Sequence, residues 1–187
     1  FARIRERFPR IVMRAEKAAE ATVEYVLQGR DSIQNIIRSC AFDYRTYTHS
    51  VNVCIFCIVL ARRVGLAEDR LPELATAALL HDIGKSRIDP AILNKKGPLS
   101  PPEWDAMRQH PGWGVDLVDV REGVTPKMCD IILNHHEKLD GSGYPHGLKG
   151  EEIMIEAKIL AVSDVVEAMS SHRPYRPSLG IDKALEE

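Results

Sequence analysis

Five of the seven histidines, His49, His81, His110, His135 and His136, fall at helical positions beside apolar residues or at helix ends. Two aspartates join them. Asp82 closes the apolar segment "ATAALLH", and Asp164 shares a helical stripe with Ala157, Leu160, Ala161 and Ala168. His49 lies on a stripe with Val53, Cys57, Leu60 and Val64, so it is expected to point inward. A lone inward histidine is more often a satisfied core residue than a ligand. Inward carboxylates change the balance, because an isolated ionised carboxylate costs roughly several kcal/mol in a core unless it is paired or bound to a metal. Asp-His hydrogen bonds and salt bridges are the structural alternative. The number of converging donors points instead to a metal centre.

The donors are nitrogen and oxygen with no obvious sulfur, which suits Fe, Mn, Ni, Co or Zn better than a thiolate zinc site. Seven ligands exceed the need of one tetrahedral ion. Two ions about 3.5 to 4 Å apart, bridged by one carboxylate, would use them and leave positions for water and substrate. Neighbours such as His81 and Asp82, or His135 and His136, diverge around a helix and serve two adjacent ions better than one. In "LLHDIGKSRID", the His-Asp pair then forms the corner of a dinuclear site, with Gly84 letting the chain turn and Lys85 placed to meet an anion.

Helices must carry these residues. Apolar periodicity predicts one over "IVMRAEKAAEATVEYVLQG" ended by Gly29, and a second over "DSIQNIIRSCAF" capped by Asp31 or Ser32. A strongly apolar helix runs from about Thr46 to Val64 with Gly65 as terminator, and "EDRLPELATAALLHD" follows it. The stretch from Ile83 to Pro101 reads as loop. "SPPE" then announces a helix with Ser100 as cap, Pro101 first and Glu103 three after the cap. It is expected to stop near His110, because Pro111 disfavours the helical region for its predecessor. Further helices are expected over about Pro126 to His136 and Ile155 to Ser170, with the turn-rich "EKLDGSGYPHGLKG" between them, where Gly141, Gly143 and Gly147 can take positive φ. No strand pattern, internal repeat or low-complexity segment is visible, so the expected class is all-α, a helical bundle.

The chain has 187 residues, 44% of them hydrophobic, enough for one sizeable core. A formal charge of -2 argues against a nucleic-acid surface. The longest apolar run, Val53 to Ala61, is far short of the roughly 20 residues of a membrane span. Cys40, Cys54, Cys57 and Cys129 form no disulfide framework, and no secretory signal precedes them, so a cytoplasmic setting is expected. Cys54 and Cys57 form a C-x-x-C inside an apolar helix with no second pair, which reads as core packing. The absence of an initial Met and the ending inside "DKALEE" read as a piece of a longer protein.

"HDIGK", "NHHEKLDGSGYP", "GLKG", "AVSDVVEAM" and "RPYR", taken in order, resemble an HD-GYP domain, the branch of the HD superfamily associated with cyclic di-GMP hydrolysis. The resemblance covers about Asp43 to Ser178 and implies an HD-domain bundle around a dinuclear metal centre. Residues 1–42 would lead into a catalytic domain over 43–187, truncated at its carboxyl end. It implies that His49, His81, Asp82 and Asp164 surround one metal and His110, His135 and His136 the other, with Asp82 as the bridge. Lys85 matches a lysine that contacts substrate phosphate, Arg173 and Arg176 match a phosphate-binding pair flanking a tyrosine, and Tyr144 matches the loop tyrosine. Arg45 stands where some members carry a ligating glutamate, so two divalent ions are expected, Fe or Mn first, rather than three.

The implied activity is metal-dependent hydrolysis of cyclic di-GMP to linear pGpG or onward to GMP, with Asp82 and Lys85 as catalytic residues, lowering a second-messenger signal. Implied partners are the cyclic dinucleotide, a diguanylate cyclase met through the GYP loop, and a second copy met through the first helices. One alternative is a catalytically silent domain that binds the dinucleotide or a cyclase. Another is an HD phosphohydrolase acting on other nucleotides, against which the GYP and RPYR segments argue. A ferritin-like di-iron oxidase needs Glu-x-x-His pairs, and no helix here carries one.

Overall fold

The computed structural model describes residues 17–20, 46–118 and 123–170. Residues 17–20 are helical, and Ala19 is fully buried in the core. Seven α-helices follow: α1 (Thr46–Arg63), α2 (Leu71–Leu80), α3 (Pro90–Leu93), α4 (Pro101–Met107), α5 (His110–Val118), α6 (Pro126–Asn134) and α7 (Ile155–Ser170). Among the described residues there is no strand, only an isolated bridge between Asp140 and Lys149.

The longest described helix is central. Helix α1 packs against α2 and α7, α2 against α6, and α5 against α6 and the 3₁₀ turn Ile83–Arg87. Val53, Cys54, Cys57, Ile58 and Ala61 of α1 meet Leu71, Leu74 and Ala78 of α2, Ile131 and Ile132 of α6 and Leu160 of α7 in one core. Each large aliphatic side chain so buried stabilises the fold by about 1.5–3 kcal/mol. Cys54 and Cys57 are free thiols in this core, as the C-x-x-C reading expects.

Local signals end the helices. Gly65 adopts a φ of 80° after α1. Its N–H reaches Arg62 O at 3.2 Å while Leu66 N–H reaches Ala61 O at 2.9 Å. Those two bonds make a Schellman cap, which satisfies carbonyls that the helix leaves unpaired. Val64 lies beyond the last helical residue and is 54% exposed, so it does not continue the inward stripe of His49. Thr125 caps α6 by accepting Met128 N–H at 3.2 Å, and Glu103 accepts Ser100 N–H at 2.6 Å at the start of α4.

Two expectations are corrected. The segment after Ile83 is not all loop, since it holds a 3₁₀ turn and the four-residue helix α3. Helix α4 stops at Met107, and a new helix begins at His110 with Pro111 in its first turn. Proline breaks a helix only from within; in the first turn its missing N–H has no intrahelical partner to lose and its fixed φ suits the helix. Pro111 therefore helps to open α5.

Away from the helix ends that carry the histidines, a buried charge is compensated. Glu156, fully buried on α7, accepts Arg70 Nη2 at 2.6 Å and Lys127 Nζ at 2.8 Å. A carboxylate so placed needs such partners.

Candidate metal centre

Three helix ends supply three of the histidines in the same way. His81 Nδ1 lies 2.7 Å from Ala78 O, His110 Nδ1 2.8 Å from Met107 O, and His135 Nδ1 2.6 Å from Ile132 O. Each carbonyl belongs to the last turn of its helix, α2, α4 or α6, where no further backbone N–H is available. A carbonyl oxygen only accepts, so Nδ1 must carry the proton and Nε2 must present its lone pair. The residue that leaves the helix is thereby fixed in tautomer and in direction, as a metal ligand needs.

His49 is oriented differently, by carboxylates on both of its ring nitrogens. In the first turn of α1, its Nδ1 meets Glu167 Oε2 at 2.5 Å, and Glu167 Oε1 accepts Asn52 Nδ2 at 3.2 Å. Its Nε2 faces Asp164 Oδ1 at 3.2 Å and Asp82 Oδ2 at 3.7 Å. His81 Nε2 lies 3.5 Å from Asp82 Oδ2 and 3.9 Å from Asp164 Oδ1. On the other side of Asp82, its Oδ1 lies 3.4 Å from His110 Nε2. His110 Nε2 in turn lies 3.4 Å from His135 Nε2 and 3.2 Å from His136 Nε2. The seven side chains that the sequence marks as ligands therefore converge, with the Asp82 carboxylate facing both groups. Two sets, His49 with His81 and Asp82, and His110 with His135 and His136, each hold their donor atoms within 4.8 Å of one another.

The donor chemistry fits a cation. His81 Nε2 and Asp82 Oδ1 are buried without a hydrogen-bond partner. His110 and His135 turn acceptor nitrogens toward each other, an arrangement that repels unless something positive lies between them. A tetrahedral ion with bonds of about 2.0–2.1 Å would hold its nitrogens about 3.3–3.4 Å apart, close to the spacing observed.

Protonation follows the same division. Burial, then the neighbouring histidine charge, pushes the His136 pKa down to about 4, and the same two causes lower His135 strongly. His110 is lowered as well, by burial. These imidazoles are neutral and ready to ligate near pH 7. His49 moves the other way: burial opposes its charge, but hydrogen bonds to Asp164 and Glu167 outweigh burial and raise it to about 9. Asp82 is held well below the usual carboxylate range, against burial, by His81 and Lys85.

Lys85 extends from the 3₁₀ turn after Asp82 and donates from Nζ to Asp82 Oδ2 at 2.6 Å. Tyr144 stacks on His136 with ring centroids 4.8 Å apart at 29°, and Arg108 lies over its ring at 5.8 Å. Arg173 and Arg176, together with Arg45, lie outside the described residues.

The motif glycines owe their place to close approach. Gly84 has no positive φ, so the expected turn is not its role. A Cβ there would sit 1.9 Å from His110 O and 2.5 Å from Gly114 N. Helix α5 thus rests on the backbone of Gly84, which brings His110 beside Asp82. At Gly143 a Cβ would meet Glu137 Cα and Lys138 N at 2.4 Å. Gly141 and Gly147 do take positive φ, 80° and 68°.

Two carboxylates escape the reading of the sequence. Glu167, 1% exposed, orients His49. Its signal was the spacing of three from Asp164, which puts both on one helix face. Glu137, beside His136, gathers the GYP loop by accepting His146 N–H at 2.6 Å, Gly147 N–H at 3.1 Å and Leu148 N–H at 3.0 Å. No local pattern marked it.

Among known proteins, the sequence profile of the family described as HD domain matches residues 32–187. The cyclic di-GMP phosphodiesterase PA4108 of Pseudomonas aeruginosa is 41% identical over 161 residues, which cover 86% of this chain and 39% of that protein. The 3′3′-cGAMP-specific phosphodiesterase 3 of Vibrio cholerae is 38% identical over 140 residues, 75% of this chain and 30% of that protein. A cyclic di-GMP phosphodiesterase of Thermotoga maritima is 39% identical over 146 residues, 78% of this chain and 40% of that protein. This chain thus spans less than half the length of these relatives. In fold, it is similar to Bd1817, a HDG"Y"P protein of Bdellovibrio bacteriovorus, with a TM-score of 0.72 at 22% identity, over 88% of this chain and 55% of that one. The all-α expectation and the HD-GYP resemblance both hold.

Proposed function

Because this chain belongs to the HD-domain family and brings five histidines and two aspartates together, we propose that it is a metal-dependent phosphodiesterase that opens a cyclic dinucleotide, cyclic di-GMP foremost. The observation that carries this reading is the pair of donor sets on either side of Asp82, where His81 Nε2 and Asp82 Oδ1 are buried with no hydrogen-bond partner among the described residues. His49, His81, Asp82 and Asp164 would hold one divalent ion, and His110, His135 and His136 the other, with Fe or Mn favoured by the donors and Ni, Co or Zn also compatible. Such ions supply positive charge to phosphate oxygens and lower the pKa of water toward neutrality.

The protein's own groups do the rest. Lys85, on the exposed side of Asp82, is placed to share its charge with a phosphate oxygen and to stabilise charge as it develops there. Arg173 and Arg176 would bind phosphate oxygens with their two-donor forks. Tyr144, stacked on His136, would bind substrate beside the second donor set. The product would be linear pGpG and then GMP. The same reading carries a cytoplasmic setting, pairing of two copies, and contact of a cyclase with the GYP loop, whose Leu139 is 65% exposed. No helix among the described residues is long and apolar enough to cross a membrane.

The test is hydrolysis of cyclic di-GMP by metal-analysed protein beside Asp82→Ala, with products separated by chromatography. Cleavage by the wild type with close to two ions per chain, and loss of both in the variant, is the expected result. A loaded protein that binds the dinucleotide and leaves it intact would replace the enzyme reading with that of a binding module.

A further inference from the structure

The site described so far accounts for phosphate and says nothing of the bases. Two side chains on one helical face lie outside it. Arg108, at the carboxyl end of α4, holds its guanidinium over the Tyr144 ring at 5.8 Å, and that ring in turn covers the ligand His136. Arg108 is exposed, and among the described residues no carboxylate pairs with it. Its charge is thus placed against the wall of the metal centre without being neutralised. One turn earlier, Trp104 is 46% exposed although it is the largest apolar side chain on α4. Residues four apart share a helix face, so an aromatic plane stands beside the two-donor fork that lies over Tyr144.

We infer that Trp104 and Arg108 form a purine-binding subsite that reads guanine: Arg108 would donate its fork to the O6 and N7 acceptors, while Trp104 offers a face for the base. The inference rests on the phosphodiesterase reading and adds to it the source of base selectivity. Phosphate is the competing ligand for a guanidinium. The neighbouring exposed indole favours a base, since phosphate gains nothing from an aromatic plane, whereas every base has a face to stack. Guanine suits a two-donor fork, and adenine, with a donor amine in place of O6, does not.

The experiment compares metal-loaded wild type, Arg108→Ala, Arg108→Lys and Trp104→Ala on cyclic di-GMP and cyclic di-AMP, with metal content measured for each. Losing the fork should raise KM for cyclic di-GMP by about 10- to 100-fold, with kcat and metal content little changed. Arg108→Lys should fail to restore it, because an ammonium is a point charge and not a fork. Whatever affinity the wild type has for cyclic di-AMP, read as inhibition of cyclic di-GMP cleavage, should not fall in either arginine variant. Trp104→Ala should weaken both dinucleotides, since stacking is tolerant of the base. Equal losses for the two dinucleotides in Arg108→Ala, or full rescue by lysine, would show a phosphate contact and overturn the inference. So would unchanged kinetics. If the loaded wild type cleaves no cyclic dinucleotide, the phosphodiesterase reading itself fails and the subsite falls with it; cleavage with indifferent variants removes the subsite alone.

Discussion

Gly84→Ala tests the idea that the fold builds half of the metal centre by resting one helix on a bare stretch of backbone. The new Cβ would lie 1.9 Å from His110 O, where ordinary contact begins near 3.4 Å, a shortfall of about 1.5 Å. Neither neighbour can give way by rotating a side chain, since His110 O and Gly114 N are backbone atoms of α5. Helix α5 must therefore retreat, and His110 goes with it. A metal site tolerates about 0.2 Å in its bond lengths, and a misplacement near 1 Å costs about 10²-fold in rate. The expected outcome is a fall from two bound ions toward one and a loss of at least about 100-fold in kcat/KM on cyclic di-GMP. Overpacking of this kind costs about 1–3 kcal/mol, or roughly 2–12 °C in Tm for a chain of this size, so folded protein should remain to be assayed. Gly112→Ala, in the same helix with nothing within 4 Å of the added atom, is the control and should keep metal and activity. If Gly84→Ala binds two ions and retains activity within threefold, the close-approach account is wrong.

Three further outcomes are expected. Glu167→Ala should weaken metal binding by about 10- to 100-fold, read by competition with a chelator, and Glu167→Asp should restore little because the shorter arm cannot reach His49. Metal binding by the free protein at pH 7.5 should release about one proton, measured by calorimetry in buffers of different ionisation enthalpy, because His49 with its pKa of about 9 must give up a proton while His136 at about 4 has none to lose. Affinity at the His49 set should therefore fall as pH drops below about 9, and release should vanish above it. Finally, Cys54 and Cys57 should resist iodoacetamide in folded protein and react on unfolding, since burial raises Cys57 to about 12 and Cys54 well above its ordinary value; labelling read by mass spectrometry in the native state would contradict this.

The ends of α1 and α4 were legible because their signals are local: Gly65 after α1 and the Ser100 to Glu103 spacing before α4 each act within one turn. The convergence of the seven candidate side chains was legible too, since polar residues on apolar stripes can only face inward if something inside receives them. Helix α5 was missed because Pro111 carries opposite meanings at a helix end and a helix start, and local sequence does not say which applies. The purpose of Gly84 was hidden for a different reason. It depends on a helix that begins 26 residues later. Glu137 was hidden likewise, since three loop N–H groups come to it only after the chain has turned back.

The way each histidine is oriented also divides the site by order of assembly. His81, His110 and His135 take their direction from a carbonyl three residues back, a contact available as soon as one helix end has formed. His49 takes its direction from Glu167, 118 residues away. Closing a loop of that length is entropically costlier and must wait for α1 and α7 to meet. During folding, the imidazoles of His81, His110 and His135 can be oriented while His49 still waits for Glu167, so the candidate centre is completed only once α1 and α7 have packed together.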